Sequence, residues 1–386
     1  MWPDFEGGSI ADLMQDVVRA CGGGSAGEGL RDVDASAWRD ARSVVLLVLD
    51  GVGMKQLELL PEDSFLRRHC MTTLTSVFPS TTAAAITTFM TARPPAVHGL
   101  TGWHLRCTEP SLDGRVLAIL PVTLRGDGEL PCSQEEVLAR VCRAPSVFAS
   151  LPAASQVISP ADIAHSPFNT LHSAGAGVVG YTGLEGMLTA LTDALRAPSP
   201  PAYVYAYWPD FDHCAHVRGC ASDSARALLC AADAALAAWA ATMAGCGVQL
   251  LVTADHGFID APTERLIEVE HLPSLADCLA GPLSGERRAV FCHLKPGRAR
   301  DFEGALQALD CACIPWRSSD LVAAGRFGPG EPHPRLLERI GDYTLEMKAD
   351  WTLRDTVPGE RAHRLIGVHG GTSEAEMTVP LVGKVL

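Results

Sequence analysis

Three long apolar runs in this chain each lead into an acid. SVVLLVLDG spans residues 43–51, AYVYAYW spans 202–208 and runs into PDFDHCAH, and GVQLLVTADHG spans 247–257. Apolar runs that are continuous rather than alternating are strands covered on both faces, which is the habit of parallel sheets. Parallel neighbours need crossover connections, usually helices. Helical stretches fall between the runs. They cover 80–92, a segment opened by Ser133 and Glu136 in capping-box spacing, 183–197 with Pro198 behind it, and about 221–245. QVIS (156–159), AVFCHLKPG (289–297) and the closing TVPLVGKVL add strands, and GDYTLEM with ADWTLRD reads as a hairpin. The pattern predicts an α/β fold, a three-layer sandwich with a mostly parallel central sheet. Residues 1–286 with 337–386 are expected to form the core. Residues 287–336, rich in Arg, Gly and Pro, are expected to form a small insertion, read equally as a partial lid or as inert decoration.

Composition narrows the partners. The 386 residues carry a formal net charge of −14, so the surface has no broad attraction for nucleic-acid polymers or anionic membranes. An anionic substrate would need local positive charge, which bound metal ions supply. The most apolar long segment, 225–246, is interrupted by Asp233 and keeps helical spacing, which predicts a buried helix rather than a membrane span. MWPDFEGGSIADLMQD is acidic and does not read as a signal peptide. Thirteen cysteines without a CxxC pair read as reduced thiols, giving a cytoplasmic expectation. The oligomeric state is not legible.

The polar groups at the strand ends form a set: Asp50, then Asp212 and His216 four apart, then Asp255 and His256, then His369 in GVHGG. Imidazole and carboxylate without thiolate suit Zn²⁺ or Mn²⁺. Each member alone has an ordinary reading. Asp50-Gly51 could be a turn, Asp212 a cap beside a surface histidine, and Asp255-His256 or His369 loop residues. Jointly, with hydroxyls in SVFPSTTAAAITTFM at a helix start, they read as one site. Ser and Thr there can cap the helix, or can present a nucleophile where the helix N-terminus favours negative charge.

VLDG, FPSTTAAAITTFMTARPPAVHG, YWPDFDHCAH, VTADHG and GVHGGTSEAEMTVPL, in that order, resemble the alkaline phosphatase superfamily, and within it the type I phosphodiesterase/nucleotide pyrophosphatase family. The resemblance runs from about residue 43 to 280 and resumes from about 340 to the end. It implies two divalent metal ions. One would be held by Asp50, Thr82, Asp255 and His256, and the other by Asp212, His216 and His369. It implies Thr82, three residues after Pro79, as nucleophile through a phospho-threonine, with Thr81 as the other choice. Ala85 stands where nucleotide pyrophosphatases usually carry an Asn donor to a phosphate oxygen. Asp210 and His213 are out of register and read as supporting or surface groups. Of the nearby aromatics, Tyr207 is singled out as a stacking surface for a nucleotide base, and Trp208, Phe89 and Trp103 are assigned to the core.

The implied function is metal-dependent hydrolysis of a small phosphodiester or pyrophosphate, of nucleotide type. A phosphomonoesterase or phosphonate hydrolase on the same scaffold is the first alternative. A metal-binding module without turnover is the alternative from another class.

Overall fold

The computed structural model describes residues 1–25, 27–112, 114–360 and 364–386. Its centre is a seven-stranded sheet. In chain order the strands are β1 (Ser43–Leu49), β2 (Cys70–Thr75), β3 (Ser155–Pro160), β4 (Gly177–Tyr181), β5 (Tyr203–Trp208), β6 (Val248–Thr253) and β7 (Thr378–Val385). In space they run β2-β7-β6-β1-β5-β3-β4. β7 is antiparallel to both its neighbours, and the other pairings are parallel. Every residue of β1 and β6 is buried. Because successive side chains point to opposite faces, that burial means both faces are covered.

Six of the helices form two packing groups. One joins α1 (Ile10–Ala20), α2 (Thr82–Thr91) and α3 (Pro167–His172). The other joins α4 (Gly183–Arg196), α5 (Asp210–Arg218) and α6 (Asp223–Thr242). α6 is long and apolar enough to cross a membrane by composition. In this fold it buries Leu229, Leu236 and Trp239 in the core. The Asp233 carboxylate within it accepts the Phe65 and Leu66 backbone N–H groups at 3.0 and 2.7 Å, which caps a short helix against α6.

A second sheet has seven antiparallel strands. It runs from Cys313–Arg317 through Tyr343–Met347, Ala289–Cys292, Ser284–Gly285, His104–Arg106 and Val116–Ala118 to Thr123–Leu124. Strands within 287–336 therefore share a sheet with 104–124 and 343–347, well outside that segment. The expected hairpin does not form. Tyr343–Met347 lies between Ala289–Cys292 and Cys313–Arg317, whereas Thr352–Arg354 pairs in parallel with Leu266–Glu268. Alternation along each strand was legible, but the partner came from long-range pairing.

Candidate active site

The site lies beyond the carboxyl ends of β1, β5 and β6. Asp50 follows β1 and is followed by Gly51 at φ +74°, where a Cβ would fall 2.4 Å from the Phe258 ring. The Gly51 N–H donates to Asp255 Oδ1 at 3.0 Å, which ties two strand ends together. β5 runs into α5, whose helical turn puts Asp212 and His216 on one face, with Asp212 Oδ1 and His216 Nε2 3.4 Å apart. His369 follows a short strand, Gly367–Val368, paired with Ile259–Asp260 just past the β6 turn. Asp210 meets the Trp208 indole N–H at 3.1 Å, and His213 is exposed.

These residues form two clusters: Asp50, Asp255 and His256, and Asp212, His216 and His369. They are joined by the His256 and His369 rings, stacked with centroids 3.7 Å apart. Phe258, buried, sets its ring edge-on to His216, His256 and His369. Each histidine Nδ1 lies on a backbone carbonyl: His216 on Gly367 at 2.9 Å, His256 on Gly257 at 3.1 Å and His369 on Ser80 at 3.2 Å. Those bonds place the proton on Nδ1 and leave an Nε2 lone pair facing the cluster.

The donor set fits metal ions on physical grounds. Asp50 Oδ1, Asp212 Oδ1 and Asp255 Oδ2 are buried without a hydrogen-bond partner, although such groups are normally paired. His256 Nε2 stands 3.4 Å from Asp50 Oδ1, 3.3 Å from Asp255 Oδ2 and 3.1 Å from Thr82 Oγ1. Lone pairs facing carboxylate oxygens repel unless a cation lies between them. Tetrahedral bonds of ~2.0–2.1 Å set ligand atoms roughly 3.3 Å apart, close to these separations. In the second cluster His369 Nε2 is 3.8 Å from Asp212 Oδ1, a looser set. Burial pushes the Asp50 carboxyl well above its usual range, reinforced by Asp212 and Asp255, and burial also raises Asp255. His369 is held well below the usual imidazole range by burial and by His256 and His216. Burial opposes protonation of His216, but Asp212 outweighs it and raises the ring.

The two candidate hydroxyls have different surroundings. α2 begins at Thr82 behind a cis Phe78–Pro79 peptide, and neither threonine caps it. Thr81 Oγ1 donates to Glu286 Oε1 at 2.6 Å, and only Thr82 Oγ1 reaches His256. Ala83, Ala84 and Ala85 are fully buried in the packing of α2, so Ala85 offers no donor. Tyr207 does not line the cleft as a stacking surface. Its hydroxyl donates to Asp50 Oδ2, which fixes that carboxylate instead. Trp103, expected in the core, is 39% exposed and lines the cleft. Trp208 and Phe89 are buried, as expected.

The cleft encloses about 600 Å³ and takes in Thr81, Thr82, Asp212, His216 and His369. Sequence reasoning missed Glu286, whose Oε1 also accepts the Trp103 N–H at 2.6 Å. It also missed Phe258, although that residue directly follows VTADHG.

A family model for type I phosphodiesterase / nucleotide pyrophosphatase matches residues 44–372. The chain belongs to this family. It is accordingly a hydrolase of the alkaline phosphatase superfamily. Among solved structures it is similar to murine ectonucleotide pyrophosphatase / phosphodiesterase 5 at 16% identity and TM-score 0.64, covering 88% of this chain and 87% of that one. An inactive threonine-to-alanine variant of that enzyme, in complex with AMP, gives TM-score 0.63 at the same identity and coverage. Phosphonoacetate hydrolase from Sinorhizobium meliloti 1021, in complex with phosphonoformate, is similar at 19% identity and TM-score 0.62 over 89% and 90% of the two chains. At these identities the likeness concerns the fold. No curated protein sequence matches the chain.

Proposed function

We propose that this protein is a metal-dependent phosphodiester or pyrophosphate hydrolase that uses Thr82 as its nucleophile and acts on small, nucleotide-type substrates. The observation that carries the reading is the position of Thr82 Oγ1. It sits at the first residue of α2, 3.1 Å from His256 Nε2 of the buried Asp50–Asp255–His256 cluster, and it lines one cleft with Asp212, His216 and His369. Asp50, Asp255 and His256 with Thr82 would hold one divalent ion, and Asp212, His216 and His369 a second, with Zn²⁺ favoured over Mn²⁺ by the N and O donor set. Such ions, when bound, make a hydroxyl or a water nucleophilic near neutral pH and offset the charge of the transferring phosphoryl group.

The chain's own residues then divide the work. Tyr207 and the Gly51 N–H orient Asp50 and Asp255. The Thr82 oxygen forms a bond to phosphorus as the bond to the leaving oxygen breaks on the opposite side. Water cleaves the resulting phospho-threonine, which returns the hydroxyl and releases the phosphoryl product. The N-terminus of α2 adds positive potential to the charge that develops there. All thirteen cysteines are free thiols, which supports a reducing, cytoplasmic setting.

One observation favours a second reading. Ala85 leaves the helix without the amide donor usual in nucleotide pyrophosphatases, and a phosphonate or monoester hydrolase is the alternative. The test is steady-state hydrolysis of bis-p-nitrophenyl phosphate, p-nitrophenyl phosphate and the thymidine 5′-monophosphate p-nitrophenyl ester. Zn²⁺ or Mn²⁺ is present, with Thr82→Ala and EDTA as controls. The diesters should be turned over fastest, and Thr82→Ala should lose at least about a thousandfold. Preference for the monoester would move the assignment to the phosphatase reading. Full activity in Thr82→Ala would remove the nucleophile.

A further inference from the structure

Glu286 sits at the turn between Ser284–Gly285 and Ala289–Cys292, where its N–H donates to the Ala289 carbonyl at 2.9 Å. It lines the cleft together with Thr81, Thr82 and His369. Three segments meet it there. The Thr81 hydroxyl and the Trp103 N–H both donate to its Oε1, each at 2.6 Å. Gly370, next to His369, packs so closely that a Cβ on residue 370 would fall 2.7 Å from the Glu286 Cβ. This side chain therefore stands between the residue before Thr82 and the residue after His369.

Neither carboxylate–imidazole cluster includes Glu286. Hydrogen-bond donors favour the ionised form of a carboxylate, and Oε1 receives two. Burial raises the Glu286 carboxyl, and the Thr81 hydroxyl, the Trp103 N–H, His256 and His216 act the other way. The influence is mutual. Burial lowers His216, and Glu286 is among the groups, led by Asp212, that raise it. Arg287, the next residue, feels the same carboxylate. The charge at 286 thus acts on a histidine of each cluster. A phosphoryl group attacked by Thr82 would lie within the same reach, because Thr82 Oγ1 is 3.1 Å from His256 Nε2.

We propose that Glu286 is a charge filter: its carboxylate disfavours dianionic phosphoryl groups, so that the cleft takes the monoanionic phosphate of a diester in preference to the dianion of a monoester or a phosphonate. The proposal rests on the hydrolase reading of the same cleft and names the residue that sets its choice of substrate. At pH 8 a monoester carries close to two negative charges, because its second pK is about 6, and a diester carries one. The second charge meets the fixed charge of Glu286 in a partly buried site, where like charges repel more strongly than in bulk water.

The test compares methyl p-nitrophenyl phosphate with p-nitrophenyl phosphate at pH 8, a pair with one leaving group and different charge. In the metal-loaded protein Glu286→Gln should raise kcat/KM for the monoester relative to the diester by about tenfold or more. Glu286→Asp, which keeps the charge, should leave that ratio near the wild-type value. So should Thr81→Val, which breaks a hydrogen bond to Oε1 and spares the charge, whatever either does to absolute rates. Calorimetric titration reads the filter in binding. Phenylphosphonate, a dianion, should bind the wild type more weakly than its monomethyl ester, and the gap should close or reverse in Glu286→Gln. A ratio that Glu286→Gln leaves unchanged, or that Thr81→Val shifts as far, overturns the filter and reduces Glu286 to a support for Thr81. Tighter binding of phenylphosphonate than of its ester by the wild type overturns it without any variant. If neither phosphate is hydrolysed, the hydrolase reading fails, while the binding order still decides the role of Glu286.

Discussion

Two neighbouring hydroxyls, Thr81 and Thr82, show how little separates the proposed nucleophile from a support. One faces Glu286 and the other His256. Thr81→Ala is expected to lower kcat/KM by about tenfold, the worth of one hydrogen bond to a carboxylate, against the near-complete loss expected for Thr82→Ala. Steady-state rates on one diester compare the two. Asp50 gives a prediction of opposite sign for stability. With Asp212 and Asp255 nearby and burial raising its pK, its carboxylate is costly to the metal-free protein. Asp50→Asn keeps an acceptor for the Tyr207 hydroxyl and removes one charge. It should stabilise the EDTA-treated protein by about 1 kcal/mol or more while weakening Zn²⁺ binding. Melting with and without metal reads both effects, and a lower melting temperature in EDTA would refute the argument. At this scale the strand-end acids and histidines were legible, because apolar runs mark where a strand must stop. Glu286 was not, since it lies 205 positions from Thr81 and no local pattern marks the pairing.

Elements reach the site through a few buried ties. Arg288, on the second sheet's side, donates through Nε and Nη2 to Glu376 at 3.0 and 2.8 Å. The same carboxylate accepts the Gly371 N–H at 2.8 Å and the Ser373 hydroxyl at 2.6 Å. That cluster holds the loop that delivers His369. Arg288→Ala strands Glu376 without its cation and should cost about 3–5 kcal/mol. It should also weaken metal binding through His369, a loss that Glu376→Gln alone should reproduce only in part. Denaturant midpoints and Zn²⁺ titration separate the two effects. The helices and parallel strands were readable from period and caps. Ser133 does accept the Glu136 N–H at 3.3 Å, as its spacing implied. The second sheet was not readable, because its short strands are stabilised by partners from 104–124 and 343–347 that no local sequence names.

For the whole molecule, acid sensitivity follows from histidines far from the cleft. His172 is buried with its Nδ1 on the Phe168 carbonyl at 2.9 Å, and burial lowers it to about 4; burial also holds His98 well below the usual range. Below the unfolded pK of about 6.5 the unfolded chain takes up protons that these rings refuse. Their contribution is therefore complete above about pH 6.5 and is lost as pH falls toward 4. For His172 the loss approaches about 3 kcal/mol. Urea midpoints at pH 7 and pH 5 should diverge, and His172→Phe should narrow the gap. An unchanged gap would place the acid sensitivity elsewhere.

The position of β7 has a consequence for how the chain is made. Residues 378–385 are synthesised after every other strand of the sheet, yet they lie inside it, between β2 and β6. Until they leave the ribosome, β6 presents an unpaired edge, and β2 has no partner in the sheet. His369, only nine residues earlier, arrives almost as late. Vectorial synthesis thus yields neither a closed sheet nor both complete carboxylate–imidazole clusters until these segments have emerged. A nascent chain halted short of residue 378 would expose strand edges that invite association with other chains.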